Sequence, residues 1–363
     1  MINEIGIINR LQKDMDLVIS NLLEVLQEKP EAILLCGGYG RNEGAWIEDE
    51  KGLPAPYNDY DFAVISNSSL STEEYNKLRI KLAKLIGIRW IDIDFYKPSF
   101  FQKQIKPTIK SFDLLYASKV VYGDTSKIFK IKNIKPEKIS KGDIINLYIT
   151  RIWTFLGSWS GPFHDLEIDE ARFFKNQMAK AILAACDMLL ISKKLYTGLY
   201  SKRVEIISNK FSDNVDLCQL ANWALNEKLR PSNDKLFKEE MKMIYKQVKN
   251  LFNNSFEKSL PRENKFFLIP SLTRVYFQKR PSYWLHVCND RLVRHQDYTI
   301  KHTEIFSAQN YIFHANSGEG FNYKYLEKCS NILYKWGYLI EKTYDYDILR
   351  EKAAWARNNI FGE

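Results

Sequence analysis

Apolar residues recur at helical spacing over residues 4–28 (Ile8, Leu11, Met15, Leu17, Val18, Leu22, Leu23, Leu26), and Pro30 lies just beyond them. An amphipathic helix is expected there. The short apolar run Ala32-Ile33-Leu34-Leu35-Cys36 then predicts a strand, broken by Gly37-Gly38-Tyr39-Gly40-Arg41-Asn42-Glu43-Gly44. A second strand is expected over 59–65 and a third over 89–96, ended by Pro98. Between these two strands, Ser71 and Glu74 have capping-box spacing at the head of a helix that Gly87 closes. Another helix is expected over 108–117, followed by the apolar run 119–122, a turn at Gly123-Asp124 and a connector over 125–142.

From residue 143 the period becomes helical. Long helices are expected over 144–159, ending at Gly161-Pro162, and over 170–194. Further helix is expected over 215–254 with a break at Pro231, and over 322–343 and 346–358. Residues 260–314 are mixed, with 266–269 and 274–277 reading as short strands or helical turns. The pattern therefore predicts an α+β protein. A small mixed-sheet domain over 1–140 precedes a mainly helical domain over 141–363, with a further break near 255–265.

The stretch 45–58 does not fit the regular pattern. It carries Trp46, the acids Glu48, Asp49 and Glu50, and then Gly52, Pro54 and Pro56. Proline and glycine oppose a regular element, so a long loop is expected, and long loops inside compact domains are often functional.

Composition narrows the classes. Hydrophobic residues make up 45% and charged residues 27%, as in an ordinary globular protein. The net charge of +9 favours anionic partners such as nucleotides or nucleic acid, but the lysines are scattered and form no dense basic block. The cysteines Cys36, Cys186, Cys218, Cys288 and Cys329 are odd in number and widely spaced, so neither a disulfide framework nor a zinc site is expected. The chain has no apolar run long enough to span a membrane and no basic-then-apolar leader. A cytoplasmic protein without a membrane partner is expected.

The chemistry concentrates between residues 33 and 96. Side chains alternate across a strand, so Asp59 and Asp61 share one face of the second strand, and Asp92 and Asp94 share one face of the third. Grouped carboxylates need a compensating charge. A divalent cation supplies it, and Mg²⁺ takes carboxylate oxygens together with substrate phosphates. Gly37 and Gly38, directly after a strand, let backbone amides approach a phosphate, and Arg41 offers a planar fork for the same oxygens. Other glycine-rich motifs fail on spacing. Gly44-Ala45-Trp46 lacks the Lys-Ser/Thr of a P-loop, and Glu43 stands where the dinucleotide and protein-kinase loops need a glycine.

Gly37-Gly38, Asp59-Tyr60-Asp61 and Ile91-Asp92-Ile93, in that order, resemble the signature of the polymerase beta-type nucleotidyltransferase superfamily. Phe112-Asp113-Leu114-Leu115 and Val121-Tyr122-Gly123-Asp124 are similar to segments of its small-molecule and minimal members. The helical half, through Arg172, Lys175, Lys180, Tyr196, Tyr200 and Arg203, is similar to the C-terminal helices of antibiotic nucleotidyltransferases. The resemblance implies a small nucleotidyltransferase domain that uses Mg²⁺ (or Mn²⁺) and an NTP. It implies transfer of a nucleoside monophosphate to a hydroxyl, with release of pyrophosphate. Asp59 and Asp61 would ligate metal, and Asp92 would be the third acid, as ligand or general base. Gly37, Gly38 and Arg41 would bind the NTP, with Lys175 and Lys180 reaching the triphosphate from the helical domain.

Glu43, Asp94, Tyr200 and Arg203 are additional candidates, and His164 and His314 are loop candidates for the acceptor. His286, His295 and His302 have no metal-ligand spacing. The chain departs from the family pattern in the long gap between Gly38 and Asp59, and in Asp94, a fourth acid that competes with Asp92 for the third position. The expected acceptor is a small hydroxylated molecule such as a sugar or aminoglycoside. An RNA end or a protein side chain would keep the same chemistry, and a non-catalytic nucleotide-binding protein is the reading from another class.

Overall fold

The computed structural model describes residues 4–57, 59–102, 105–126, 134–260, 300–316 and 320–361. The segments expected over 266–269 and 274–277, the residues Asn58, Cys288, His286 and His295, and the side chain of His302 lie outside the described residues.

In chain order the described elements are α1 (Glu4–Val25), β1 (Ala32–Leu35), α2 (Gly37–Gly40), β2 (Trp46–Glu48), β3 (Pro54–Pro56), β4 (Tyr60–Ile65), α3 (Thr72–Ile86), β5 (Ile91–Tyr96), α4 (Pro98–Gln102), α5 (Ile109–Tyr116) and β6 (Lys119–Gly123). Then come α6 (Lys141–Gly157), α7 (Ile168–Ser192), α8 (Tyr200–Lys210), α9 (Val215–Leu229), α10 (Lys238–Ser259), α11 (Ile300–Ala315), α12 (Tyr323–Lys335) and α13 (Tyr346–Phe361). The fold is mixed α+β, with a small mixed sheet and many helices. Among the described residues no helix is long and apolar enough to cross a membrane.

The chain forms two compact units. One comprises Met1–Ser140, Lys193–Asp213 and Leu225–Pro231, and the other Lys141–Ser192, Asn214–Ala224 and Ser232–Glu363. A single cut near residue 140 does not describe this division, because α8 and the end of α9 rejoin the N-terminal unit.

The N-terminal unit is built on a four-stranded sheet in the order β5-β4-β1-β6. β1 runs antiparallel to β4 and β6, and β4 runs parallel to β5. One sheet face presents Ile33, Leu35, Tyr60, Phe62, Val64, Ile91 and Ile93 to a core that Met15, Val18 and Leu22 of α1 and Leu78, Leu82 and Ile86 of α3 complete. These helix positions are three or four apart, so each helix buries one stripe. Tyr60 anchors the layer by donating its hydroxyl to Asp14 of α1 at 2.9 Å. The helix α3 begins on the expected capping box of Ser71 and Glu74, and ends on Gly87 at φ 82°.

One local expectation needs correction. The expected long loop over 45–58 is not irregular across 46–56, because β2 and β3 form an antiparallel ribbon pairing Trp46 with Pro56 and Glu48 with Pro54. The backbone bonds Tyr57 N–H to Ala45 O and Asp49 N–H to Leu53 O fall on the alternate pairs, so both prolines occupy positions where no ladder donor is needed. The glycine turn after β1 closes as one helical turn over Gly37–Gly40.

The helical unit centres on α7, which is buried from Phe174 to Ile191 at all but one position and packs against α6 and α10. α11 packs against α12, α13 and α6. Two buried basic side chains satisfy carbonyls at helix ends, where intrahelical donors run out. Arg350 donates to the carbonyls of Leu156, Trp159 and Gly161 after α6. Lys249 donates to those of Phe313 and Asn316 at the end of α11. His314 was expected in a loop; it sits in α11 with its Nε2 3.1 Å from the Tyr148 hydroxyl.

Candidate functional site

The parallel register of β4 and β5 pairs Asp61 with Asp92 and Ala63 with Asp94. Paired residues of parallel strands project to the same face, so Asp61, Asp92 and Asp94 stand on the side of the sheet opposite the α1–α3 core. Asp59 immediately precedes β4, rather than lying within it as expected, and has the parity of Asp61. Asp59, Asp61 and Asp92, all half-buried, each offer a ligand atom, and these atoms lie within 4.8 Å of one another. Three carboxylates so close repel, and a divalent cation relieves the repulsion. The donor set contains only carboxylate oxygen, which suits Mg²⁺ or Mn²⁺ and not a thiophilic metal. The nearby Cys36 does not alter that set. Burial, reinforced by the charges of Asp61 and Asp94, pushes its thiol well above the usual range and keeps it neutral.

The glycine turn abuts the acids. Gly37 has φ 61°, and a Cβ placed on it would lie 1.9 Å from Oδ2 of Asp61. Within the turn, Gly40 N–H donates to Cys36, Arg41 N–H to Gly37, and Glu43 N–H to Gly38. The amides of Gly37 and Gly38 open the turn and are not among its donors, as for the first amides of any helix.

The two candidates for third acid separate. Oδ1 of Asp92 accepts from Trp90 Nε1 at 2.8 Å and lies 3.8 Å from Nη1 of Arg79, whose guanidinium stacks 3.6 Å over the Trp90 ring. Trp90 thus fixes the orientation of the carboxylate that groups with Asp59 and Asp61. Asp94 instead pairs with Nζ of Lys110 on α5 at 3.1 Å. Sequence reasoning passed over Trp90, Arg79 and Lys110. The available signals were an indole two residues before an acid on a strand and a charged residue on the apolar stripe of α3.

Several candidates belong to a different constellation. Arg41 was expected to clamp phosphate, but its fork is engaged by Asp113 at 2.7 Å and by the Tyr200 hydroxyl at 3.1 Å. Asp113 also accepts from Tyr196, while Arg203 stacks on Tyr196 and donates to the Thr197 carbonyl at 2.6 Å. Glu43 accepts from the amides of Tyr200 (2.7 Å) and Ser201 (2.9 Å), so it caps α8 from a distance. These groups tie α8 and α5 to the glycine turn.

Lys175 and Lys180 lie on α7 in the helical unit. Lys175 is buried and donates to Ser232, and Lys180 is half-buried. His164 has its Nδ1 2.7 Å from the Pro162 carbonyl. Searches of family models, curated proteins and solved structures returned no match to this chain.

Proposed function

We propose that this chain is a nucleotidyltransferase dependent on Mg²⁺ or Mn²⁺, which moves a nucleoside monophosphate from an NTP to a hydroxyl of a small acceptor and releases pyrophosphate. The observation that carries this reading is the convergence of Asp59, Asp61 and Asp92 within 4.8 Å, with Gly37 packed on Asp61. The three carboxylates would hold the cation. When bound, it would neutralise phosphate charge and lower the pKa of the attacking hydroxyl. The amides of Gly37 and Gly38 would face the phosphate oxygens, with no side chain at Gly37 to keep the substrate from Asp61. The acceptor oxygen forms its bond to the α-phosphorus as the bond to pyrophosphate breaks, and its proton passes to a carboxylate of the cluster. Trp90 holds Asp92 in one orientation for this role.

A nucleic-acid acceptor is the second reading, favoured by the net charge of +9. The test is incubation of the full chain with each of the four labelled NTPs, Mg²⁺ and a cell extract. Label on a small molecule supports the first reading, and label on RNA the second. No transfer together with no NTP binding overturns both and leaves a chain without this chemistry.

A further inference from the structure

The acids of the site would draw metal, but a triphosphate carries charge beyond what a bound cation covers, and a side-chain cation should meet it. The three arginines of the N-terminal unit described above are committed. The side chains of Arg41, Arg79 and Arg203 are only 6%, 9% and 2% exposed, and each is locked against aromatic rings. Lys110 differs. The difference is one of exposure: it stands at the head of α5, 34% exposed, with Nζ 5.9 Å from the centre of the Tyr96 ring, and its ion-pair partner Asp94 is 38% exposed. Asp94 lies on the same sheet face as Asp92 and two residues along β5, a displacement of about 6.6 Å. Lys110 therefore holds a position beside the acids on the side away from Asp59.

We propose that Lys110 is the cation that receives the terminal phosphates of the NTP, exchanging its contact with Asp94 for phosphate oxygens. The proposal rests on the nucleotidyltransferase reading and adds a binding residue to it. The exchange is inexpensive because an ion pair this exposed contributes little. The incoming phosphate offers several strong acceptors in place of one carboxylate. Lys110 then discriminates by phosphate count: it contacts a triphosphate and leaves a monophosphate untouched. Asp94 acts as a positioning residue that holds the ammonium at the site while substrate is absent.

The experiment titrates the full-length protein with each of the four NTPs and the matching nucleoside monophosphates, in Mg²⁺, by calorimetry. Lys110→Met is expected to weaken NTP binding about tenfold, the size of one lost charge-assisted hydrogen bond, while monophosphate affinity stays within about twofold. Lys110→Arg is expected to restore most of the loss, and Asp94→Asn to bind NTP at least as tightly as wild type. Circular dichroism melts of each variant separate a binding defect from a folding defect. If wild type binds none of the four NTPs, the nucleotidyltransferase reading itself fails. If wild type binds one and Lys110→Met binds it equally well, or loses triphosphate and monophosphate affinity alike, only the assignment to Lys110 is overturned.

Discussion

Asp61 on β4 and Asp92 on β5 are direct neighbours across a parallel strand pair, and both point away from the hydrophobic layer of the sheet. Neither side chain can turn inward, because Tyr60, Phe62, Ile91 and Ile93 fill that side. Their negative charges are therefore held together by the backbone itself.

Replacing Asp59 and Asp61 together by Asn is expected to abolish Mg²⁺-dependent pyrophosphate release. The same change removes like-charge repulsion and buries no new group, so the thermal midpoint should hold or rise. Pyrophosphate detection and a thermal melt check both halves, and unchanged turnover in the double variant contradicts the metal-ligand assignment.

Gly37→Ala should be damaging out of proportion to its size. Its φ of 61° is costly for alanine, and the new methyl would fall 1.9 Å from Asp61 Oδ2. The left-handed conformation alone costs about 1–2 kcal/mol. The collision displaces Asp61, so activity should fall further than stability. Urea unfolding measured beside turnover tests this. A variant that keeps wild-type activity shows that Asp61 can shift without consequence.

Arg41→Met should destabilise the N-terminal unit and leave NTP affinity nearly unchanged. The substitution takes from Asp113 its shortest cationic contact and removes the stacking on Tyr200. Breaking a largely buried pair from one side costs about 3 kcal/mol. A large loss of NTP affinity in folded Arg41→Met protein would instead assign the arginine to substrate.

The helical unit should gain stability as pH rises above neutrality. Burial lowers the Lys249 pKa from 10.5 to about 7, and it lowers that of neighbouring His314 to about 3. Between about 7 and 10.5 the unfolded chain therefore binds a proton at Lys249 that the folded chain has released. The cost is fully present below pH 7 and fades as pH climbs toward 10.5. The slope is at most about 1.4 kcal/mol per pH unit. A neutral amine still has two N–H groups for the Phe313 and Asn316 carbonyls. Urea unfolding from pH 7 to 9 should show this slope in wild type and lose it in Lys249→Met.

Much of the N-terminal unit was legible because its signals are local. Period-two alternation marked β4 and β5, Ser71 and Glu74 announced α3, and alternation alone put Asp59 with Asp61 and Asp92 with Asp94. The choice between Asp92 and Asp94 was not local. It depends on Lys110 from α5 and Arg79 from α3 meeting different acids. The ribbon of β2 and β3 was missed because proline reads as a breaker unless the hydrogen-bonding phase of the ladder is known. The partners of Arg41 and Glu43 were not legible locally, because Asp113 is 72 positions from Arg41 and α8 is farther still from Glu43.

Residues 193–213 rejoin the N-terminal unit only after the chain has passed through α6 and α7. On the ribosome, every strand of the acid-bearing sheet has emerged long before Tyr196, Tyr200, Ser201 and Arg203 exist. Until then Glu43 lacks the two amides it caps, and Asp113 has Arg41 but not Tyr196. Vectorial synthesis thus delivers the three acids and the glycine turn early, in a nascent intermediate whose polar girdle is still open. A gene truncated after residue 140 would encode every proposed metal ligand and still yield an unfinished domain.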